Sequence, residues 1–434
     1  MSSLPSAPSP LHIIRSHSSA ISALSISNDN ERIYSGDISG LVVITSTRSI
    51  RSLASWKAHA DGLLGVQEWG KQVITHGRDN KLHVWKRPTP IPSLTIGGGS
   101  ASTSGILELE LSCSLDVNAL NFCRFSLLSH TTGGRSSGVE SRALIAVPNL
   151  IESSLADIWT LPSMERVHAA IGKGRLDGPV IPGTDGRAVK NPTGIIMSMH
   201  LFPTPYGARR ISDTASNSHR ALSLICSYEN GSVKLWQYQN IEKERSIEGI
   251  GWNCVWSFKL HGESIMATAI SLDYSMALSV SADHLIGRYD LNKNSTVDPP
   301  NSVNPAGTVY RTKRPGNVCA VGGWDGRVRL FSTKSFKSLG TLIYHKTGVQ
   351  ALVFARACTR THTRASPVAD DEMSTEEKAD RSRWLISGGK DGRVVVWALM
   401  GFSTIRCNCH RGDRGQGTGD NFFFNVSLRM MDSG

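Results

Sequence analysis

LISGGKDGRVVVW, residues 385 to 397, and VITHGRDNKLHVW, residues 73 to 85, share one register, with a hydroxyl at position three, Asp at seven and Trp at thirteen. Four further windows align on them without gaps: IYSGDISGLVVIT (33 to 45), LICSYENGSVKLW (224 to 236), ALSVSADHLIGRY (277 to 289) and CAVGGWDGRVRLF (319 to 331). A seventh, VPNLIESSLADIW (147 to 159), keeps the terminal Trp but carries Pro148 where a ladder donor is wanted. Each window reads as an apolar run, a polar pair such as Asp391 and Gly392, and a second run that alternates. That is the pattern of two strands joined by a tight turn.

A hairpin cannot bury its face alone. Ahead of four windows stands a His with an apolar residue four positions on: His17 and Ile21, His59 and Leu63, His261 and Ile265, His345 and Val349. This marks the start of a further, innermost strand, and with a connecting outer strand each unit has four. Units of this signature, about 40 to 45 residues long, resemble WD40 blades, and seven of them can close a ring that leaves few strand edges open. The fold expected is therefore all-β: a seven-bladed WD40 β-propeller over 11–399, after a disordered start at 1–10 and before an irregular tail at 400–434. LHIIRS (11 to 16) is the natural donor of the strand that closes blade seven, with GFSTIR (401 to 406) as competitor.

The spacing also assigns the polar residues. An Asp at the turn can accept from imidazole, and a hydroxyl can link imidazole to indole, so polar groups on different strands satisfy one another. Complete sets are His59, Thr75, Asp79, Trp85 and His345, Ser387, Asp391, Trp397; in His261, Ser279, Asp283, Tyr289 a phenol replaces the indole. Blade one has Ser39 and Thr45, and blade six has Val321 and Phe331, so both are expected to rely on packing. The same assignment removes the apparent hydrolase triads, because sets that recur from blade to blade are structural and nothing signals an oxyanion site. Residues just before the turn position gather on one face around the channel mouth. Of these, Arg78, Glu229, Trp324 and Lys390 are the candidate partner-binding residues, with Ile38, Glu152 and Ala282 completing the ring. Trp324 leads, since Trp and Arg are enriched at interface hot spots.

Composition bounds the rest. An apolar share of 39% suits a packed core, and no run approaches the ~20 apolar residues of a membrane helix. MSSLPSAPSP lacks the features of a signal peptide and the eight Cys are scattered, so an intracellular, reduced chain is expected. The net charge of +11 is thinly spread; its densest stretch is around blade six, Arg311 to Lys346, and no nucleic-acid module accompanies it. Cys407, Cys409 and His410 lack the second ligand pair of a zinc site, and GKGRLDG (172 to 178) lacks the ending of a phosphate loop. Neither a metal nor a cofactor is expected. The Gly/Ser-rich stretches 91–105 and 129–142 read as mobile loops, 172–192 as an insert before blade four, and 356–383 as an insert between the first two strands of blade seven.

SWKAHADGLLGVQEWGKQVITHGRDNKLHVWKR (55 to 87) goes beyond a generic blade, and resembles the fungal ASTRA-associated WD-repeat family and its animal relative, the G-protein-beta-subunit-like protein. SGDISGLVVI (35 to 44), VPNLIESSLADIWTLPSMERVHAAIG (147 to 172), GGWDGRVRLFS (322 to 332) and SGGKDGRVVVWAL (387 to 399) match in the same order. The departures are Ser39 and Thr45, where the family tends to have Asp and Trp, and the tail. The resemblance implies a nuclear, non-catalytic scaffold, a monomeric propeller within a hetero-complex. Its partners would be the other ASTRA subunits, in chromatin remodelling, and Tel- and Tti-type proteins, in the chaperone-linked maturation of phosphatidylinositol-3-kinase-related kinases. The cytoplasm is a second expected location. Rival readings are a G-protein-beta-like signalling scaffold, which would need an N-terminal helix that SSLPSAPSP cannot supply, a WD40 adaptor with another partner, a propeller enzyme, and a direct nucleic-acid binder.

Overall fold

The computed structural model describes residues 8–87, 109–129, 142–173, 193–204, 222–240, 243–292, 302–303, 318–356, 374–399 and 423–427. They form seven four-stranded sheets, one per window, arranged as the blades of a propeller. In blade two the order is Leu63–Trp69, Gln72–Gly77, Lys81–Lys86 and Glu110–Asp116, each strand antiparallel to the next. The two middle strands are buried on both faces because neighbouring blades cover them. Blade seven closes through His12–Ile14, which pairs antiparallel with Val394–Ala398, so the N-terminal donor prevails over GFSTIR. Ring closure thus joins the two ends of the propeller sequence in one sheet.

The tight turns also join blade to blade. Gly40 has φ +91°, and a Cβ there would lie 2.1 Å from the carbonyl oxygen of His59; at Gly231, φ +85°, it would lie 2.2 Å from that of His261. The turn of one blade therefore seats the loop that delivers the next blade's His. Only glycine permits both the left-handed backbone and that approach.

Two blades depart from the pattern. Ser246 and Gly249, in the connection before the outer strand of blade four, bond the outer edge of blade three: Ser246 N donates to the Val167 carbonyl (2.9 Å) and Gly249 N to that of Ala169 (2.8 Å). An edge that could pair with another chain is covered from within. In blade six, the innermost place is taken by Phe423–Ser427, which runs parallel to Val318–Gly322. The expectation of an irregular tail is corrected for these five residues. The inner edge of Val318–Gly322 offers donors and acceptors that must be paired, and this segment meets them.

The expected insert in blade seven separates Val349–Phe354 from Trp384–Gly389. Its described end is a helix, Thr375–Arg381, started by a capping box between Ser374 and Glu377. Arg381 carries this helix onto blade one, donating to the Thr47 carbonyl (3.4 Å) and lying over Trp384. The expected loops 91–105 and 130–141, the insert at 174–192, the basic residues 311–314, the Cys407, Cys409 and His410 group and residues 1–7 lie outside the described residues.

Candidate functional site

The polar chains form as the spacing predicts. In blade two, Trp85 Nε1 donates to Thr75 Oγ1 (2.8 Å), which meets His59 Nε2 (2.8 Å), and His59 Nδ1 meets Asp79 (2.9 Å). Blade seven repeats this with Trp397, Ser387, His345 and Asp391 at 3.0, 2.8 and 3.0 Å. Blade five runs from Tyr289 through Ser279 (3.1 Å) and His261 (2.7 Å) to Asp283 (3.0 Å). Gly287 makes room for the phenol, since a Cβ there would stand 2.5 Å from Ser279 Oγ. Indole can only donate, so the hydroxyl proton goes to Nε2 and the imidazole donates from Nδ1 to the carboxylate. That tautomer is the neutral one. Burial agrees, lowering the pKa of His59 and His345 despite the carboxylates that oppose the shift. Every donor in these chains is already committed inside the blade, which leaves them no nucleophile to offer.

Blade one corrects the expectation that it relies on packing alone. His17 Nδ1 meets Asp37 (2.8 Å) and Nε2 meets Ser35 Oγ (2.8 Å), so position five, not position seven, supplies the carboxylate. The reason is visible in the other blades. At Gly77 and Gly389, which hold position five, a Cβ would lie 2.4 Å from the Nδ1 of His59 and of His345. An Asp placed at that point reaches the ring directly. Ser39 then caps Asp37 (2.6 Å), and Thr45 takes no part. Asp37 against Gly77 and Gly389 was the sequence signal. Blade three holds a different buried carboxylate, Asp157, which accepts from Asn149 Nδ2 (2.9 Å) and Ala170 N (2.7 Å). In blade six Asp325 pairs at the surface with Arg329 (2.6 Å) and Arg327 (3.9 Å), and no buried chain forms among the described residues, as expected from Val321 and Phe331.

The residues before the turns are brought together in pairs. The Arg78 amide bonds the Gly62 carbonyl (2.9 Å), and a Cβ on Gly62 would touch Ile38 at 3.1 Å, so this glycine lies between the turns of blades one and two. Gly348 does the same between Trp324 and Lys390: the Lys390 amide bonds its carbonyl (2.9 Å), while a Cβ on it would meet the Trp324 backbone at 3.4 Å. The Arg78 guanidinium lies over Phe122, 5.3 Å from the ring centre. Glu229 is tied to the loop before its blade, its carboxylate accepting from Ile195 N (3.3 Å). Trp324 is 46% exposed and Ile38 is exposed beside its own turn.

Leu120, Leu150 and Ile151 extend this face, the last being 92% exposed. They are held together because Asn118 Nδ2 donates to the Asn149 carbonyl (2.7 Å). The register of repeated positions could not reveal them, since Leu120 sits in the loop before blade three and Ile151 in its irregular turn. The turn face thus carries exposed apolar side chains on blades one, three and six, with Arg78 on blade two.

This architecture and its recurring chains define a seven-bladed WD40 propeller. The model of the WD domain, G-beta repeat, matches residues 8–45, which cover the closing strand, the inner strand of blade one and its two hairpin strands up to Thr45. Across nearly the whole chain the similarity is to fungal proteins named ASTRA-associated protein 1. That of Verticillium alfalfae is 28% identical, covering 92% of this chain and 94% of the relative. That of Penicillium rubens is 26% identical over 90% and 97%. That of Schizosaccharomyces pombe is 25% identical over 80% and 93%.

Proposed function

We propose that this propeller is a non-catalytic scaffold subunit of an ASTRA-type assembly, and that it acts in the nucleus. The observation that carries this is the whole-length similarity to proteins named for association with ASTRA. Roles in chromatin remodelling and in the maturation of phosphatidylinositol-3-kinase-related kinases, with Tel- and Tti-type proteins as partners, belong to the same reading. The turn face supports it physically. Ile38, Leu120, Leu150, Ile151 and Trp324 are exposed there, and Trp324 with Arg78 supplies residue types enriched at protein contacts. The polar chains support a scaffold as well, because they stiffen the ring and leave no activated group.

The test is affinity purification of the tagged full chain from nuclear extract, followed by mass spectrometry. Recovery of ASTRA and Tel/Tti-type subunits is expected, and their loss with Trp324→Ala or Ile151→Asp at unchanged melting temperature places the contact on the turn face. Recovery of a gamma-like subunit instead would overturn the reading.

A further inference from the structure

The channel through the ring holds, away from the turn face, a cavity of about 260 Å³. Two arginines line it. Arg124, on blade three just before its inner strand, borders both this cavity and the smaller one toward the turn face. Arg356 follows the inner strand of blade seven and stands at the open end.

Among the described residues no Asp or Glu lines either cavity. His200, on the same wall, bonds the Thr268 carbonyl through Nε2 (2.6 Å), and burial and then the Arg124 charge hold its pKa down to about 4. It is neutral at physiological pH. Solvent reaches Arg124 along the channel, yet protein encircles it, and that enclosure lowers its pKa. Arg356 is held in place through its backbone: its amide bonds Asn30 Oδ1 (2.8 Å) and its carbonyl accepts from Asn30 Nδ2 (2.9 Å). Neither guanidinium forms a hydrogen bond or ion pair with a described residue. Two such groups inside one protein-walled space attract anions strongly, because the wall weakens the screening that water gives.

We propose that the channel end away from the turn face binds a small phosphate-bearing anion, held between Arg124 and Arg356. Blades three and seven lie across the ring from each other, so a ligand meeting both guanidiniums must show acceptor oxygens on opposite sides. A planar carboxylate fills one guanidinium fork. Phosphoryl groups linked in a short chain, as in a di- or triphosphate, can fill two. The site is on the opposite side of the ring from the turn face, so an anion there and a protein partner on the turn face can bind together.

Titration calorimetry of the full chain with sodium tripolyphosphate at low ionic strength tests this. Saturable 1:1 binding is expected, weakening as salt is added. Arg124→Gln and Arg356→Gln should each weaken it about tenfold or more, as the loss of a charge-assisted contact does. Arg124→Lys, which keeps charge but loses the fork, should fall between. Lys86→Gln, on the outer rim, should bind as the unaltered chain does. Absence of saturable binding, or affinity in the Arg124→Gln and Arg356→Gln variants equal to that of the unaltered chain, would overturn the proposal. So would equal binding of citrate, which would show that phosphate is not selected.

Discussion

At the scale of the residue, the polar chain is the unit that decides which substitutions this protein tolerates. Ser387 both accepts from Trp397 and serves His345, so Ser387→Ala strands two buried groups. A loss of about 2 kcal/mol is expected in urea unfolding. Asp37→Asn should cost a similar amount, because it leaves His17 with a poorer acceptor. Asp325→Asn, at an exposed pair, should fall within about 0.5 kcal/mol of no change. Equal costs for Asp37→Asn and Asp325→Asn would mean that blade one has no working network. Both residues are turn acids in the sequence, but Asp37 lies beside the ring of His17, whereas Asp325 has no histidine ahead of its blade and pairs at the surface with Arg329.

Histidines also fix the response to acid. His83, His168 and His200 are each pushed down to about 4, chiefly by burial. An unfolded histidine titrates near 6.5. Between these values the unfolded chain binds more protons than the folded one, so stability is complete above about pH 6.5 and declines as the pH falls toward 4. Urea midpoints measured from pH 7.5 to 4.5 should show that decline; a flat profile would contradict neutral, buried imidazoles. His168 illustrates what sequence reading could not supply, since its partner Ser246 is 78 residues away, on blade four (2.9 Å).

At the scale of the element, the tight turn has two tasks, reversing the chain and seating the next blade. Gly40→Ala and Gly231→Ala combine a left-handed backbone with a Cβ about 2 Å from a carbonyl oxygen, and each should destabilise by roughly 2 kcal/mol or more. Gly262→Ala is the control, since nothing lies within 4 Å of its Cβ position, and its melting temperature should hold or rise. Equal melting temperatures for all three would show that the turns do not couple blades. The hairpins themselves were legible from sequence because turn and alternation are local. The coverage of blade three's outer edge was not, as it depends on where blade four's connection travels.

At the scale of the whole molecule, closure engages both ends of the chain. His12–Ile14 completes blade seven, and Phe423–Ser427 completes blade six. Truncation after residue 399 should lower the melting temperature by several degrees and speed amide exchange at Val318–Gly322, whose inner edge would lose its partner. Unchanged exchange there would show that the tail strand contributes nothing to blade six.

The sequence by itself determined that there are seven hairpins, which residues turn them, and which His, hydroxyl, Asp and aromatic side chains bond inside blades two, five and seven. Each of those facts is written within a window of thirteen residues or in the His just ahead of it, where spacing along a strand is spacing in space. Tertiary structure alone decided that Asp37 serves blade one, that the strand at 423–427 fills blade six, that Leu120 and Ile151 join Trp324 on the turn face, and that Arg124 and Arg356 share one channel. These depend on how blades meet. A ring brings together residues from blades far apart in the chain, and no local period records that meeting.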